Sequence, residues 1–214
     1  MRQRKIKDLD SKLAVYRDFI IEEPASLKGQ WGDAFENDGA LYLEIGCGKG
    51  QFITENALRH PERNFVAIEG HQSVVLRALE KTKEQNIANV RFVLEYVKDI
   101  RDFFADGELS GIYLNFSDPW PKERHAKRRL TYGKRLQQYM QILKDGGSVE
   151  FKTDNDGLFD FTLEQIEEEG LTSADVTRDL HNSRFAESNI VTEYEDRFAG
   201  AGKNINYVRI MRKQ

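Results

Sequence analysis

The stretch Leu41-Tyr-Leu-Glu-Ile-Gly-Cys-Gly-Lys-Gly50 decides the fold of this chain. Its first five residues are mostly apolar, as in a short strand that is buried in a sheet. The glycines that follow permit a tight turn and let the backbone approach a ligand that a Cβ atom would exclude. Apolar Phe52, Ile53 and Ala57 then stand at helical spacing. A strand, loop and helix in this order predict the ligand-binding edge of an open parallel sheet.

Further strands and helices alternate along the rest of the chain. Apolar segments at 65–68, 90–94, 111–116, 148–153, 171–180 and 206–211 predict six more strands. Strands that alternate with helices favour a parallel sheet that is covered on both faces. We therefore predict an α/β fold with a mostly parallel, seven-stranded sheet and helices on both faces. Residues 1–214 are expected to form a single domain, with residues 1–40 as an N-terminal appendage packed on it.

The composition excludes several classes of protein. Of the 214 residues, 39% are hydrophobic and 32% charged, which is not the balance of a disordered chain. No apolar run approaches the roughly 18 residues of a membrane span, and none follows the basic N-terminus as in a secretory signal. One cysteine, Cys47, excludes an internal disulfide, and the four histidines are scattered. We predict a cytoplasmic protein that uses no membrane and no metal, and the sequence leaves open a monomer or a homodimer.

The net charge of −4 conceals a strongly basic segment. Residues 122–135, called the basic segment below, contain one glutamate and seven cations: Lys122, Arg124, Lys127, Arg128, Arg129, Lys134 and Arg135. A second cluster opens the chain with Arg2, Arg4, Lys5 and Lys7. Screening confines each charge to about 8–10 Å at physiological salt, so the local density of cations matters more than the total. A solvated helix would explain an average basic run, but this one follows a motif at the ligand edge, which favours a nucleic-acid partner.

That motif, Asn115-Phe-Ser-Asp-Pro-Trp-Pro121, ends the fourth predicted strand. Its prolines stiffen the loop, and Trp120 offers a flat surface for stacking. Asp118 is placed where a carboxylate can face both a cofactor and a bound base. Glu69 ends the second predicted strand, about twenty residues after the glycine loop, where a carboxylate can accept both hydroxyls of an adenosine ribose.

The glycine loop and Glu69 could bind either of two adenosine-containing cofactors, a nicotinamide dinucleotide or S-adenosylmethionine. The dinucleotide fingerprint is G-x-G-x-x-G, but here Gln51 stands where the third glycine is expected. Glu44 would repel a pyrophosphate and suit a cation. S-adenosylmethionine carries no phosphate and has both a sulfonium and a zwitterionic tail, so the sequence favours it over a nicotinamide dinucleotide.

The motifs together resemble a known family. The blocks Glu44-Ile-Gly-Cys-Gly-Lys-Gly50 and Asn115–Leu130 are similar to those of the bacterial tRNA (guanine-N7)-methyltransferases. The segments Phe151-Lys-Thr-Asp-Asn155 and Thr192-Glu-Tyr-Glu-Asp-Arg-Phe198 resemble the same family. The resemblance implies a Rossmann-like class I fold that depends on S-adenosylmethionine. It also implies transfer of a methyl group to N7 of guanine 46 in the variable loop of tRNA.

The resemblance implies roles for individual residues as well. Asp118 matches the catalytic position. The cofactor positions are Glu44, Gly46, Gly48, Glu69, Tyr96 and Asp118. The substrate positions are Lys122, Arg124, His125, Lys127, Arg128, Arg129, Asp154, Thr192, Glu193, Tyr194 and Glu195. Tyr96 departs from the family, which usually has Asp or Asn there, so either the backbone near Tyr96 or the neighbouring Glu95 is expected to contact the adenine.

The chemistry of guanine N7 shapes the expected mechanism. N7 presents a lone pair in neutral guanine, so no general base is needed and the enzyme has chiefly to align the reactants. We expect Asp118 to hold guanine through its N1–H and 2-amino groups, with Asp154 as a competing candidate. The alternatives are a methyltransferase for another RNA, a protein or a small molecule, a nicotinamide-dependent oxidoreductase, and a non-enzymatic RNA-binding protein.

Overall fold

The computed structural model describes residues 6–199 and 202–213. Arg2, Arg4 and Lys5 of the opening basic cluster lie outside these residues. The strands are β1 Ala40–Ile45, β2 Arg63–Ile68, β3 Val90–Val93, β4 Leu109–Asn115, β5 Leu143–Thr153, β6 Thr172–Thr177 and β7 Asn206–Met211. The helices are α1 Leu9–Leu13, α2 Gln51–Arg59, α3 Gln72–Glu84, α4 Gly133–Ile142, α5 Asp156–Glu168 and α6 Glu193–Ala199.

The strands form one seven-stranded sheet in the order β3-β2-β1-β4-β5-β7-β6. Strands β1 to β5 pair in parallel, and β7 lies antiparallel between β5 and β6. The predicted α/β fold with a mostly parallel sheet is thus confirmed. The strand order reverses between β1 and β4, so Ile45 and Asn115 end side by side at the point where open sheets bind ligands.

Two hydrophobic cores cover the two faces of the sheet. On one face, Phe52 and Ile53 of α2 and Leu79 of α3 pack against strand residues such as Phe65. On the other face, α4 and α5 contribute Leu136, Tyr139, Met140, Leu158 and Phe159. Because both faces are covered, the central strands are apolar along most of their length, and this run of apolar residues makes them visible in the sequence.

The N-terminal segment is fixed to the sheet by a few contacts. Trp31 is fully buried, stacks on Phe104 at 5.0 Å and donates its indole N–H to the Phe103 carbonyl at 2.8 Å. Farther towards the N-terminus, the Ile21 amide donates to the Phe92 carbonyl at 2.8 Å. These contacts hold the segment against β3 and the loop before β4.

Strand β5 differs most from its predicted bounds. The predicted strand was 148–153, whereas β5 already begins at Leu143. Strand β6 is shorter than the predicted 171–180. Leu109 of β4 pairs with Leu143 and Gly111 pairs with Ser148, so β5 contains extra residues between these two pairs. Gly146 has a φ of +78° in this bulge. The glycines therefore interrupt the register of the strand without ending it. Among the described residues, no helix has both the length and the apolar character needed to cross a membrane.

Candidate functional site

The glycine loop after β1 has space for a ligand above it. Gly46, Gly48 and Gly50 have φ values of +82°, +57° and +81°, in the region that L side chains rarely adopt. A Cβ atom on Gly50 would lie 2.4 Å from the Ala78 Cβ, so this glycine allows α2 and α3 to pack closely. A Cβ on Gly46 or Gly48 would meet no atom within 4 Å. These two glycines thus border open space at the carboxyl end of β1.

Two cavities meet at this edge of the sheet. The large cavity, of about 500 Å³, is lined among others by Glu69, Tyr96, Asp118, Trp120 and Arg128. The small cavity, of about 360 Å³, is lined among others by Glu44, Gly48, Lys49, Thr192 and Tyr194. Gly46, Asn115 and Phe116 line both cavities, so an elongated ligand can lie across the ends of β1 and β4.

Glu44 is a buried carboxylate with one uncommitted oxygen. Its residue is 2% exposed, and its Oε1 accepts a hydrogen bond of 2.8 Å from Asn115 Nδ2. Its Oε2 is buried and accepts no hydrogen bond from any residue that the structure describes. Burial raises the pKa of Glu44 to about 7, although Asn115 and Lys152 oppose this shift. Such a group is suited to a ligand that brings a cationic N–H donor.

Glu69 joins the end of β2 to the glycine loop. Its Oε2 accepts from the Gly48 amide at 3.1 Å, and its Oε1 accepts from the His71 amide at 2.9 Å. These two contacts fix the carboxylate at the wall of the large cavity. Each carboxylate oxygen retains a further lone pair, so Glu69 can still accept a hydrogen bond from a ligand hydroxyl.

Tyr96 lines the large cavity. It is 65% exposed, and its hydroxyl is within 2.9 Å of His71 Nε2. A Cβ on Gly70 would lie 2.5 Å from the Tyr96 ring, so the absence of a side chain at position 70 lets the ring pack there. Glu95 also lines this cavity, so the alternative between residues 95 and 96 stays open. His71, which was not among the predicted site residues, lines the same cavity.

The loop after β4, residues 115–121, is called the Asp118 loop below. Asp118 is exposed and lines the large cavity together with Trp120. Phe116 and Trp120 have φ values of +51° and +42°, which are uncommon for residues with a side chain. The loop therefore has a specific, strained shape that places Asp118 at the cavity.

The five cations in residues 122–129 of the basic segment fall into two groups. Lys122, Arg124 and Lys127 are exposed on or beside a 3₁₀ helix, Glu123–Arg128. Arg128 and Arg129 instead contact the Asp118 loop. The Arg128 guanidinium lies 4.8 Å from the centre of the Trp120 ring, and Arg129 donates to the carbonyls of Pro119 and Trp120.

His125 is half-buried and meets the Trp120 ring edge-on at 5.8 Å. This contact places the histidine against the side of the Asp118 loop, within the basic segment.

Thr192 and Glu195 together cap α6. The Glu195 amide donates to Thr192 Oγ1 at 2.9 Å, and the Thr192 amide donates to Glu195 Oε2 at 3.3 Å. This reciprocal pair is a capping box, a signature that the sequence Thr192-Glu-Tyr-Glu195 already contained. Glu193 forms an ion pair with Lys81, and the Tyr194 ring lies 5.2 Å from the Phe116 ring.

Glu195 is fully buried, and internal partners occupy its carboxylate. It accepts from Lys152 Nζ at 3.0 Å and Asn189 Nδ2 at 2.6 Å, and His181 Nε2 lies 2.6 Å away. Burial raises the pKa of Glu195, but these three partners outweigh burial, and the net pKa lies below its usual value. Lys152, which is 4% exposed, was missed as a site residue although it stands in the motif Phe151-Lys-Thr-Asp-Asn155.

The structure brings many of the predicted site residues to the two cavities. These are Glu44, Gly46, Gly48, Glu69, Tyr96, Asp118, Arg128, Thr192, Glu193 and Tyr194. The others line neither cavity: Lys122, Arg124, His125, Lys127, Arg129, Asp154 and Glu195. Asp154 pairs with Lys203 at 3.1 Å beyond β5. Within residues 6–199 and 202–213, no three His, Cys, Asp or Glu side chains are grouped to hold a metal ion.

Solved structures with similar folds include several methyltransferases. One is described as the structure of an antibiotic-related methyltransferase, with a TM-score of 0.58 and 14% identity over 97% of this chain and 95% of that one. Another is a SAM-dependent methyltransferase from Aquifex aeolicus, with a TM-score of 0.56 and 14% identity over 97% of this chain and 100% of that one. At this level of identity, the likeness shows the fold alone.

Sequence relatives are much closer. A family described as "Putative methyltransferase" matches residues 38–208. The chain is 47% identical to a tRNA (guanine-N(7)-)-methyltransferase of Halalkalibacterium halodurans, over 96% of this chain and 93% of that protein. It is 46% identical to the protein of the same name from Lachnoclostridium phytofermentans, over 100% of both chains. This chain therefore belongs to the family of tRNA (guanine-N(7)-)-methyltransferases.

Proposed function

We propose that this protein transfers a methyl group from S-adenosylmethionine to N7 of guanine 46 in the variable loop of tRNA. The observation that carries this proposal is the continuity of the site. A cavity that begins at the glycine loop and Glu69 extends to Asp118 and to Arg128 of the basic segment. Cofactor, reacting base and phosphate backbone can thus be bound side by side.

The cofactor is S-adenosylmethionine, and the residues at the two cavities fit it. When bound, it supplies an electrophilic methyl group on a sulfonium. Glu44, through the uncommitted Oε2, would hold the ammonium group of the methionine part. Gly46 and Gly48 leave room for the ligand beside the backbone. Glu69 would accept from the ribose hydroxyls, and residues 95 and 96 would border the adenine.

Asp118 would recognise the guanine. A carboxylate that accepts from N1–H and from the 2-amino group selects guanine over adenine, which lacks this pair of donors. Because N7 needs no deprotonation, the role of Asp118 is to fix the base so that N7 points at the methyl group. Asp154 is a less suitable candidate, since its carboxylate pairs with Lys203 and lines neither cavity.

The exposed cations would bind the tRNA backbone. Lys122, Arg124 and Lys127 lie next to the Asp118 loop, so phosphates bound there would bring the variable loop to the large cavity. A guanine inside a tertiary pairing has to leave it before N7 becomes accessible, at a cost of a few kcal/mol. Phosphate contacts would hold the tRNA during this step, and their contribution would fall with salt.

A tRNA substrate and the single buried thiol of Cys47 support a location in the cytoplasm. The arrangement of the site is compatible with a monomer or a homodimer, and the proposed chemistry uses no metal.

The proposal is tested by methylation of an unmodified tRNA transcript with labelled S-adenosylmethionine. Borohydride reduction and aniline cleavage then locate any N7-methylguanine. A cut at position 46, absent in a transcript with adenine at that position, is the expected result. Asp118→Asn should lose most of its turnover. The asparagine oxygen can accept from only one of the two guanine donors, and its NH₂ group would face the other donor, which it cannot bind. Label at another guanine, or in another RNA only, would redirect the proposal to a different substrate.

A further inference from the structure

We propose that Arg129 is a positioning residue that holds the Asp118 loop in its reactive shape, and that it does not serve as a phosphate contact. This inference rests on the proposed function, since it concerns the loop that carries the catalytic aspartate. It separates Arg129 from the other cations of the basic segment.

The Asp118 loop needs support from outside its own backbone. Among the described residues, no backbone–backbone hydrogen bond outside helices and strands involves residues 117–121. Pro119 and Pro121 have no N–H to donate. Phe116 and Trp120 bracket Asp118 with positive φ values, a conformation that persists only where the surroundings enforce it.

Arg129 supplies this support through a bidentate contact. Its Nε donates to the Pro119 carbonyl at 3.1 Å, and its Nη2 donates to the Trp120 carbonyl at 3.1 Å. Both donors lie on one edge of a rigid, planar guanidinium, so a single side chain fixes two successive peptide units. These peptide units directly follow Asp118.

The same guanidinium is tied to the body of the protein. Its central carbon lies 4.2 Å from the centre of the Phe161 ring, and Phe161 belongs to α5 and packs against the core. The Asp118 loop is thus connected through Arg129 to a helix that covers the sheet. Lys127, by contrast, is exposed two residues earlier and is free to meet a phosphate.

Arg129→Lys separates the two roles, because lysine keeps the charge but loses the planar fork. We expect kcat at saturating tRNA to fall by about tenfold or more, because reacting groups that are out of position react more slowly. The KM for tRNA should stay within about twofold, and its dependence on salt should not change, since no phosphate contact is lost. Wild-type kcat in Arg129→Lys would overturn the proposal, as would a weaker salt dependence in Arg129→Gln.

Arg178→Lys is the matched control. Arg178 also lies over a ring of α5, with its guanidinium carbon 5.1 Å from the centre of Phe159, and it pairs with Asp160. It lines neither cavity. Arg178→Lys should leave kcat and KM within about twofold of wild type, because Arg178 is exposed and lies outside both cavities.

A measurement without substrate tests the positioning role independently of methylation. Trp31 is fully buried, so acrylamide quenching of tryptophan fluorescence reports mainly on Trp120. Quenching should increase in Arg129→Lys and stay unchanged in Arg178→Lys, and equal quenching in all three proteins would overturn the proposal. If wild type fails to methylate tRNA, the proposed function is wrong while quenching still decides the role of Arg129. Should Arg129→Lys not fold, Arg129→Gln replaces it, with the same loss of kcat and increase in quenching expected.

Discussion

Glu44 and Glu195 are both buried glutamates near the ligand edge of the sheet, yet their carboxylates have opposite surroundings. Glu44 is the residue before the end of β1. One of its oxygens accepts from Asn115 and the other has no partner among the described residues, and its pKa is raised to about 7. Glu195 in α6 is bonded to Lys152, Asn189 and His181, and its pKa is lowered. The first carboxylate keeps one oxygen without a partner among the described residues, whereas the second is already satisfied by the protein.

This difference distinguishes a residue that is suited to bind a ligand from a residue that stabilises the segment around the site. A carboxylate that is buried without partners costs folding free energy, and the protein retains it where a ligand supplies the missing donor. A carboxylate that is buried with partners stabilises the segment around it. Glu195 thereby holds Thr192, Glu193 and Tyr194, which line the small cavity with Glu44.

The largest effect is expected for Glu195→Gln. It would leave Lys152 buried without its carboxylate partner, and such a loss lowers the free energy of unfolding by about 3–5 kcal/mol. Urea denaturation followed by circular dichroism measures this change. Glu193→Gln is the matched control, because the Glu193–Lys81 pair is partly exposed and should contribute no more than about 1 kcal/mol. Equal effects of the two substitutions would contradict the structural role of Glu195.

Glu44→Gln should have the opposite pattern. It removes the charge that we propose faces the cofactor's ammonium group, and hydrogen bonds to charged groups contribute about 1.5–3 kcal/mol, or roughly 10- to 150-fold in affinity. The unfolding free energy at pH 8 should not fall, because the buried ionised carboxylate is itself unfavourable there. Calorimetric titration with S-adenosylmethionine measures the affinity, and Glu55→Gln, in an exposed pair with Arg59, is the control. Unchanged affinity in Glu44→Gln would remove Glu44 from the cofactor site.

The sequence predicts these two glutamates unequally, for a physical reason. Glu44 lies next to a glycine loop at the end of an apolar strand, and parallel sheets bind ligands there, so local pattern suffices. The partner of Glu195 is 43 residues away, and only the packing of β5 against the segment before α6 brings Lys152 to it. The capping box was nevertheless visible, since it depends on residues three apart.

The contrast between features that local sequence indicates and features that depend on distant contacts also applies to the fold. Central strands were predictable because burial on both faces makes them continuous apolar runs, and β7 has the predicted bounds, 206–211. The start of β5 was not predictable, because a strand that continues through Asp145-Gly-Gly as a bulge has the same local sequence as one that ends in a turn. The bonds from Arg129 to the Asp118 loop depend on positive φ values at Phe116 and Trp120, which no local pattern indicates for such residues.

Cofactor affinity should depend on pH through Glu44. The folded pKa is about 7 and lies above the ordinary value of 4.5, so below pH 7 the carboxyl is increasingly neutral and loses its attraction for a cation. Affinity for S-adenosylmethionine should fall about tenfold per pH unit between pH 7 and pH 5, or roughly 1.4 kcal/mol per unit. Titrations at several pH values measure this slope. A slope that persists in Glu44→Gln would assign the effect to another group.

Protein stability should depend on the same group with a defined sign. Because the folded pKa of Glu44 is raised, the folded state binds more protons than the unfolded state between pH 4.5 and about 7. The contribution of Glu44 to stability therefore decreases as pH rises through this window, and it is constant above it. Urea denaturation without ligand should show this decrease in wild type relative to Glu44→Gln. Parallel pH profiles of the two proteins would mean that folding does not shift the pKa of Glu44.

The smallest effect is expected for a single exposed cation of the basic segment. Lys127→Ala should weaken tRNA binding modestly and reduce the slope of log affinity against log salt by about 1, because one phosphate contact is lost. Lys144→Ala is the control, since Lys144 is exposed near the amino end of β5, away from the ligand edge. Filter binding over a range of salt concentrations measures both slopes. An unchanged slope in Lys127→Ala would mean that the phosphates meet other cations, and the division of the basic segment into positioning and phosphate-binding residues would then have to be redrawn.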